Sequence, residues 1–314
     1  MGMKIPYDKA FQMPIHLVNL LKTRGLLVPD FESAVRYIEN IGYYRLSAYM
    51  YPLLQKPKTE HRYKAGASFN QVMMLYRFDK KLRMFLFNEI EKIEVAIRNA
   101  IVDCGCEMIG DAFWMTRQNN FNNIQKFNHT MDLIETEVKH SREEFIIHFK
   151  QKYIEKYPPT WILAEVLPFG VITSIYGNIK NMRLKKKVAQ RFGLQVLPFE
   201  SWLTIGTLTR NACCHHARVW NKRNTIHPMM PNHTANPWIV LPTNPLRIYF
   251  DICIIKYFIN IISPNNDMLA KLETLLSDFP EVDSVAMGFP TGWKKEALWQ
   301  WMWNPKSSPG VNSR

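Results

Sequence analysis

Apolar positions return every three or four residues over long stretches of this chain, and the period-two alternation of a half-buried strand is nearly absent. The longest case runs from about Asn70 to Cys104, where Leu82, Phe85, Leu86, Ile90, Ile93, Ile97 and Ile101 fall on one helical stripe among Glu89, Glu91, Lys92 and Glu94. Upstream, Pro14 to Thr23 reads as a short helix with Ile15, Leu17, Val18 and Leu21 near one side, stopped by Gly25. Residues 30–40 read as a second helix, with Asp30 as N-cap, Glu32 and Ser33 in its first turn and Gly42 past its end. An aromatic stretch follows, then a polar loop over residues 56–68. Residues 115–130 are Asn-rich and loop-like at first, and residues 131–156 predict a helix ended by Pro158 and Pro159. Residues 161–180 predict two helices separated at Pro168-Phe169-Gly170, and residues 198–221 predict one continuous helix. Five prolines make residues 226–245 an extended connection. Residues 246–262 and 266–277 are the last long helices, and a tail with Trp293, Trp299, Trp301 and Trp303 is expected to fold back on the body. The pattern predicts an all-α protein: an N-terminal helical and aromatic segment (1–69), a helical core (70–277) and a tail packed on it (278–314).

Composition narrows the function. With 314 residues, 47% of them hydrophobic, the chain can bury a full core. A formal net charge of +13 and a pI near 9.5 call for a polyanionic partner, nucleic acid first and an anionic membrane second. Five cysteines, with Cys213 and Cys214 adjacent, do not form a disulfide framework and fit a reducing cytoplasm. The most apolar stretch, Ile248 to Ile262, is interrupted by Asp251, Lys256 and Asn260 and is too short to span a bilayer, so it reads as a buried helix. The opening residues MGMKIPYDKAF lack the apolar core of a signal peptide. No membrane association is expected.

Candidate chemistry concentrates in Arg210-Asn211-Ala212-Cys213-Cys214-His215-His216-Ala217-Arg218-Val219-Trp220-Asn221. On a continuous helix Trp202, Gly206, Thr209, Cys213, His216 and Trp220 share one side, and Asn211, His215, Arg218 and Lys222 another. Arg210 sits about 140° from His215 at the helical rotation per residue, near enough for its long side chain to share a cleft. Cleavage of RNA without a metal needs a base for the 2′-hydroxyl proton, an acid for the departing 5′ oxygen, and a fixed cation at the phosphate. Histidine titrates near neutrality and suits the proton steps. Arginine stays charged and offers parallel N–H donors to phosphate oxygens. Arg and His on one helix are common, however, so the spacing alone leaves a structural role open, and His216 on the apolar side reads as a packed core or supporting histidine. Four consecutive helical residues, Cys213 to His216, point in four directions and cannot close on one zinc ion, and Cys104 and Cys106 form only a C-x-C. His227 and His233 lie in the proline-rich connection without carboxylates near them in sequence. There is no G-x-S-x-G, P-loop or dinucleotide-binding glycine pattern, and no metal or cofactor is expected.

Lys180, Arg183, Lys185, Lys186, Lys187 and Arg191 crowd into about three helical turns with no carboxylate among them, and together with Arg218 they are candidate phosphate contacts for RNA. Tyr43, Tyr44, Tyr49 and Tyr51 have the rings to stack on unpaired bases, but core packing is the simpler expectation, with Arg45 as a hydroxyl partner.

Five blocks, in order from about residue 15 to residue 300, resemble the Abi-like family of abortive-infection phage-defence proteins. They are LLKTRGLLVPD with IGYYRLSAYMYPL, FDKKLRMFLFNEIEKIEVAIRNAI, PPTWILAEVLPFGVITSIYGNIK, RNACCHHARVWN, and MGFPTGWKKEALW. That family is counted among the HEPN proteins, whose mark is Arg and His separated by four to six residues, often with Asn after the Arg. The resemblance places this motif on Arg210, Asn211 and His215, with His216 as a second match, and implies a HEPN-type helical bundle with an N-terminal extension and a Trp-rich tail. It further implies a cytoplasmic homodimer in which the motif helices of two subunits meet, and RNA as substrate, with a regulatory small RNA as a further partner. Arg98-Asn99 is a second Arg-Asn pair, but Asp103 or Cys104 stands where the His would be, so Arg98 is expected to be structural or RNA-contacting. The expected function is therefore a metal-independent endoribonuclease toxin of phage defence. The alternative is a non-catalytic HEPN-type RNA-binding protein held by a structured small RNA.

Overall fold

In the computed structural model the described residues, 6–7 and 10–301, form thirteen α-helices joined by short 3-10 turns and isolated β-bridges, with no strand among them. The all-α expectation holds. The described residues pack into two compact units, one made of those up to Lys81 with Leu275–Val282, the other of Leu82–Thr274 with those from Asp283 to Trp301.

The first unit contains α1 (Pro14–Thr23), α2 (Phe31–Ile41), α3 (Tyr43–Met50) and the opening turns of the long α4 (Phe69–Ile109). The Asp30 carboxylate accepts the Ser33 backbone N–H at 2.9 Å and fixes the start of α2. Gly42, at φ 92°, both ends α2 and begins α3, a joint that a side chain would strain. The dense aromatic stretch is thus a helix. Of Tyr43, Tyr44, Tyr49 and Tyr51 only Tyr49 is buried, and its hydroxyl donates to Asp79 at 2.5 Å. Tyr44 and Tyr51 are exposed, so core packing does not account for them.

The second unit is built around α11 (Ile248–Ile262), buried without interruption from Ile248 to Asn260. Around it lie the rest of α4, α5 (Ile124–His140), α6 (Glu144–Lys152), α7 (Thr160–Val166), α8 (Phe169–Asn178), α9 (Met182–Arg191) and α10 (Val196–Cys214), followed by α12 (Met268–Asp278) up to Thr274 and α13 (Ala297–Gln300). The three polar residues that interrupt α11 all have partners: Asp251 accepts from Thr209 and Asn224, Lys256 donates to Asn266, and Asn260 donates to the Leu298 carbonyl. Aromatic rings fill the space between α10 and α11, with Trp202 and Phe199 of α10 edge-on to Phe258. The proline-rich connection is tied to this core: Trp238 lies over Trp202 at 4.5 Å, the Trp202 indole donates to the Met229 carbonyl, and buried Glu296 accepts the N–H groups of Val240 and Leu241. Trp293 and Trp299 of the tail pack on Tyr249, and Trp303 lies outside the described residues. No described helix is long and apolar enough to cross a membrane.

Among the helix boundaries that differ from the periodicity, two change the picture. Residues 131–156 break at Ser141, where the chain turns between α5 and α6. The helix expected to reach residue 221 ends at Cys214. Beyond it Val219 and Trp220 are buried, and the chain leaves the helix axis before it reaches them.

Candidate functional site

The end of α10 sets the geometry. His215 is the C-cap, and His216 takes the left-handed conformation at φ 55°. The N–H of His216 bonds the Cys213 carbonyl at 3.2 Å and that of Ala217 bonds the Ala212 carbonyl at 2.8 Å. This is a Schellman motif, with a histidine where glycine is usual. Both histidines face outward as a result. His216 is therefore not the buried residue that the helical projection placed beside Cys213 and Trp220. Arg218 and Lys222 are off the helix, so the face shared by Asn211, His215, Arg218 and Lys222 does not form. Arg218 is half-buried in the turn that follows. From α4, buried Arg83 reaches the Ala217 carbonyl at 3.5 Å and holds the chain just past the histidines.

One turn before the histidines, Arg210 points at α4. Its Nε lies 3.4 Å from Glu94, whose other oxygen is 3.2 Å from Arg98. Arg98 also lies 3.7 Å from Glu165 of α7 and donates to the Leu167 carbonyl. The arginines of the Arg98-Asn99 and Arg210-Asn211 pairs thus meet at a single carboxylate, Glu94. Arg210 retains 30% of its side-chain exposure, Arg98 only 13%. The Nε atoms of both are buried without an aligned hydrogen-bond acceptor. Two guanidinium groups carry more N–H donors than two carboxylates can saturate, a condition that suits a phosphate.

The basic run on α9 does not form one track. Lys185 is buried, donates to the Gly177 carbonyl at 3.0 Å and pairs with Glu200 of α10. It is structural, which corrects its assignment as a phosphate contact. Lys187 pairs with Glu107 and Arg191 with Asp103, both carboxylates supplied by α4. Lys180, Arg183 and Lys186 are exposed. The carboxylates missing from the local sequence are brought by the fold.

A model of the Abi-like protein family matches residues 36–221, more than half of the chain. The chain belongs to the Abi-like family. The matched stretch takes in Glu94, Arg98, Glu165, Arg210 and His215, and Abi-like membership points to a part in abortive infection, a form of phage defence. No curated protein and no solved structure matches the chain significantly.

Four residues bonded into this region were not singled out in the sequence: Arg83, Glu94, Glu165 and Asp251. Glu94 stands four residues before Arg98, an ion-pair spacing that was readable. Glu165 stands four residues after Trp161 in a quoted family block. Arg83 and Asp251 carried no local signal. Asp251 lies on α11 and accepts from the Thr209 hydroxyl at 3.1 Å and from the Asn224 amide at 2.9 and 3.0 Å. Burial pushes its carboxyl up to about 7, against the opposing pull of these donors and of Lys222. Cys213 is buried and Cys214 half-buried, while both histidines face out. Among the described residues no group of three or more His, Cys, Asp and Glu side chains is placed to hold a metal ion.

Proposed function

We propose that this protein is an endoribonuclease effector of abortive infection that cleaves RNA by Arg/His chemistry in the manner of HEPN proteins. The observation that carries the reading is the exposed His215–His216 pair placed directly after a half-buried arginine that α4 holds by Glu94. Arg210, oriented by Glu94 and neighboured by Arg98, binds the scissile phosphate and stabilises its developing charge. His215 takes the 2′-hydroxyl proton as the 2′ oxygen attacks phosphorus. The P–O5′ bond breaks, and the 5′ oxygen takes a proton from His216 or from His215 of a second subunit. The products are a 2′,3′-cyclic phosphate and a 5′-hydroxyl end. Asn211 stands between the two functional groups on the last turns of α10 and helps orient the phosphate. A homodimer that joins two such helix ends supplies acid and base from different chains. Lys180, Arg183 and Lys186 extend the phosphate contacts.

The test is cleavage of total cellular RNA by purified protein in EDTA, comparing wild type with His215→Ala and Arg210→Ala. Cyclic-phosphate or 3′-phosphate ends that vanish in both variants are expected. Full cleavage by either variant removes the assignment. No cleavage, with RNA co-purifying from cells, replaces it with the RNA-binding alternative.

A further inference from the structure

The first unit presents two tyrosine rings to solvent. Tyr44 of α3 is 92% exposed, and Tyr51, which keeps helical angles just past the helix end (φ −54°, ψ −40°), is 55% exposed. Seven residues make two helical turns, so the rings stand on one stripe, about 10 Å apart. Single exposed rings are ordinary on a protein surface, but these two are aligned and have cations beside them. Residues 55–64 hold Lys56, Lys58, Arg62 and Lys64 against one carboxylate, Glu60, which lies 4.0 Å from Arg62. The loop is pinned at both ends. Leu54 bridges Tyr63 in the antiparallel sense, the Gln55 N–H donates to the Arg62 carbonyl at 2.9 Å, and the Lys64 N–H donates to the Leu53 carbonyl at 2.9 Å. Lys58 is thereby set against Tyr51: its Nζ lies 3.8 Å from the ring centroid and donates to the Tyr51 carbonyl at 3.2 Å. The Lys64 Nζ donates to the Pro52 carbonyl at 3.0 Å. Partial burial and the charges of Lys64 and Lys56 hold the Lys58 ammonium below the usual lysine range. Like charges held this close repel, and an anion among them relieves the repulsion.

We infer that this face of the first unit binds unpaired RNA, with bases stacked on Tyr44 and Tyr51 and phosphates drawn to Lys56, Lys58 and Lys64. That the strand is RNA rests on the reading of the protein as a ribonuclease; the stacking face itself does not. A duplex hides the flat faces of its bases and offers its backbone instead. Rings that stand clear of the surface therefore serve a strand whose bases are splayed. A tyrosine ring accepts any base, so the face selects for an unpaired strand and not for a sequence. A lipid surface fits less well. Interfacial anchoring buries a continuous apolar stripe, whereas Ser47 and Ala48 stand between Tyr44 and Tyr51 on this one.

The test measures the anisotropy of a short labelled oligouridylate titrated with full-length protein that carries His215→Ala, so that the strand survives. Tyr44→Ala and Tyr51→Ala, added to that chain, are each expected to weaken binding by about five-fold to a hundred-fold, the loss of one stacked base. Tyr44→Trp keeps a flat ring and is expected to retain the affinity. Tyr44→Ala should leave the salt dependence unchanged, because the ring carries no charge, whereas Lys56→Ala should lower the slope of log affinity against log salt by about 0.7. Binding to a blunt RNA duplex should not respond to the tyrosines. Tyr44 is exposed, so Tyr44→Ala keeps the wild-type melt, and it serves if Tyr51→Ala, which also takes the ring from Lys58, disturbs the loop. Unchanged oligouridylate affinity in both alanine variants overturns the inference, and so does an equal loss on the duplex. Tyrosine-dependent binding to oligodeoxythymidylate without binding to the RNA assigns the face to DNA and overturns it. Tyrosine-dependent flotation with phosphatidylserine vesicles in place of RNA binding assigns it to lipid and does the same. The two readings fail separately. Cleavage by the wild type with binding that ignores the tyrosines removes this face and keeps the nuclease. Tyrosine-dependent binding in a protein that never cleaves keeps the face and removes the nuclease.

Discussion

Adjacent histidines occupy different backbone states at the end of α10, and the difference separates their roles. His215 is an ordinary C-cap, whereas His216 holds a left-handed conformation that disfavours a Cβ. His216→Gly is therefore expected to leave thermal stability unchanged or to raise it by up to about 1 kcal/mol, and His216→Val to lower it by about 1–2 kcal/mol. A histidine kept where glycine fits better argues for a use of the side chain. Cleavage by His216→Gly should accordingly fall even as its melting temperature holds. A variant that is both stable and fully active assigns the second proton transfer elsewhere. The exposed His215 should tolerate alanine within about 0.5 kcal/mol, so loss of cleavage there reads as chemistry.

Helices α9 and α10 show how one element divides its charges between structure and function. Lys185 is buried against Glu200, while Lys186, one residue on, is exposed. Lys185→Ala strands a partly buried carboxylate and is expected to cost about 2–3 kcal/mol in a thermal or urea melt, with little change in RNA affinity beyond that of the fold. Lys186→Ala should do the reverse, with an unchanged melt and a slope of log affinity against log salt that is lower by about 0.7–0.9. If Lys185→Ala melts like wild type, the ion pair is not structural. Between α10 and α11, Asp251 makes a pH-dependent tie. Its folded carboxyl titrates near 7 and its unfolded one near 3.8, so between those values the folded state keeps a proton that the unfolded state has released. Stability from this group is complete below about pH 4, falls as pH rises to about 7, and is level above, a span on the order of 2–4 kcal/mol. Lys222 opposes the shift and partly limits it. Asp251→Asn is expected to gain on wild type between pH 5 and pH 8 in paired melts, and a constant difference between the two proteins would exclude the buried carboxyl as the cause.

Over the whole molecule, the +13 charge speaks for an anionic partner, but three of the six cations in the basic run are paired by carboxylates from elsewhere in the chain. Binding to RNA should still weaken steeply with salt. The proposed dimer makes a sharper prediction. Mixed dimers of Arg210→Ala and His215→Ala chains, formed by co-expression, are expected to cleave RNA where neither parent does, because a composite site can draw its arginine and histidine from different subunits. A mixture as inactive as its parents confines each site to a single chain.

Periodicity alone determined the all-helical class, the limits of α1, the Asp30 cap and the buried character of α11, because these depend on residues within a turn or two of one another. The resemblance carried by five short blocks identified the family and brought attention to Arg210, Asn211, His215 and His216. Only the tertiary structure decided where α10 stops: no glycine or proline stands between Cys214 and Asn221, and the chain turns there where the buried Val219 and Trp220 lie off the helix axis. It also decided that Lys185 is buried, that Glu94 joins Arg98 to Arg210, and that Asp251 of α11 meets Thr209 of α10. These are meetings of groups far apart in sequence, and burial, which sets the strength of every charge in them, is a property of the packed chain and not of its local pattern.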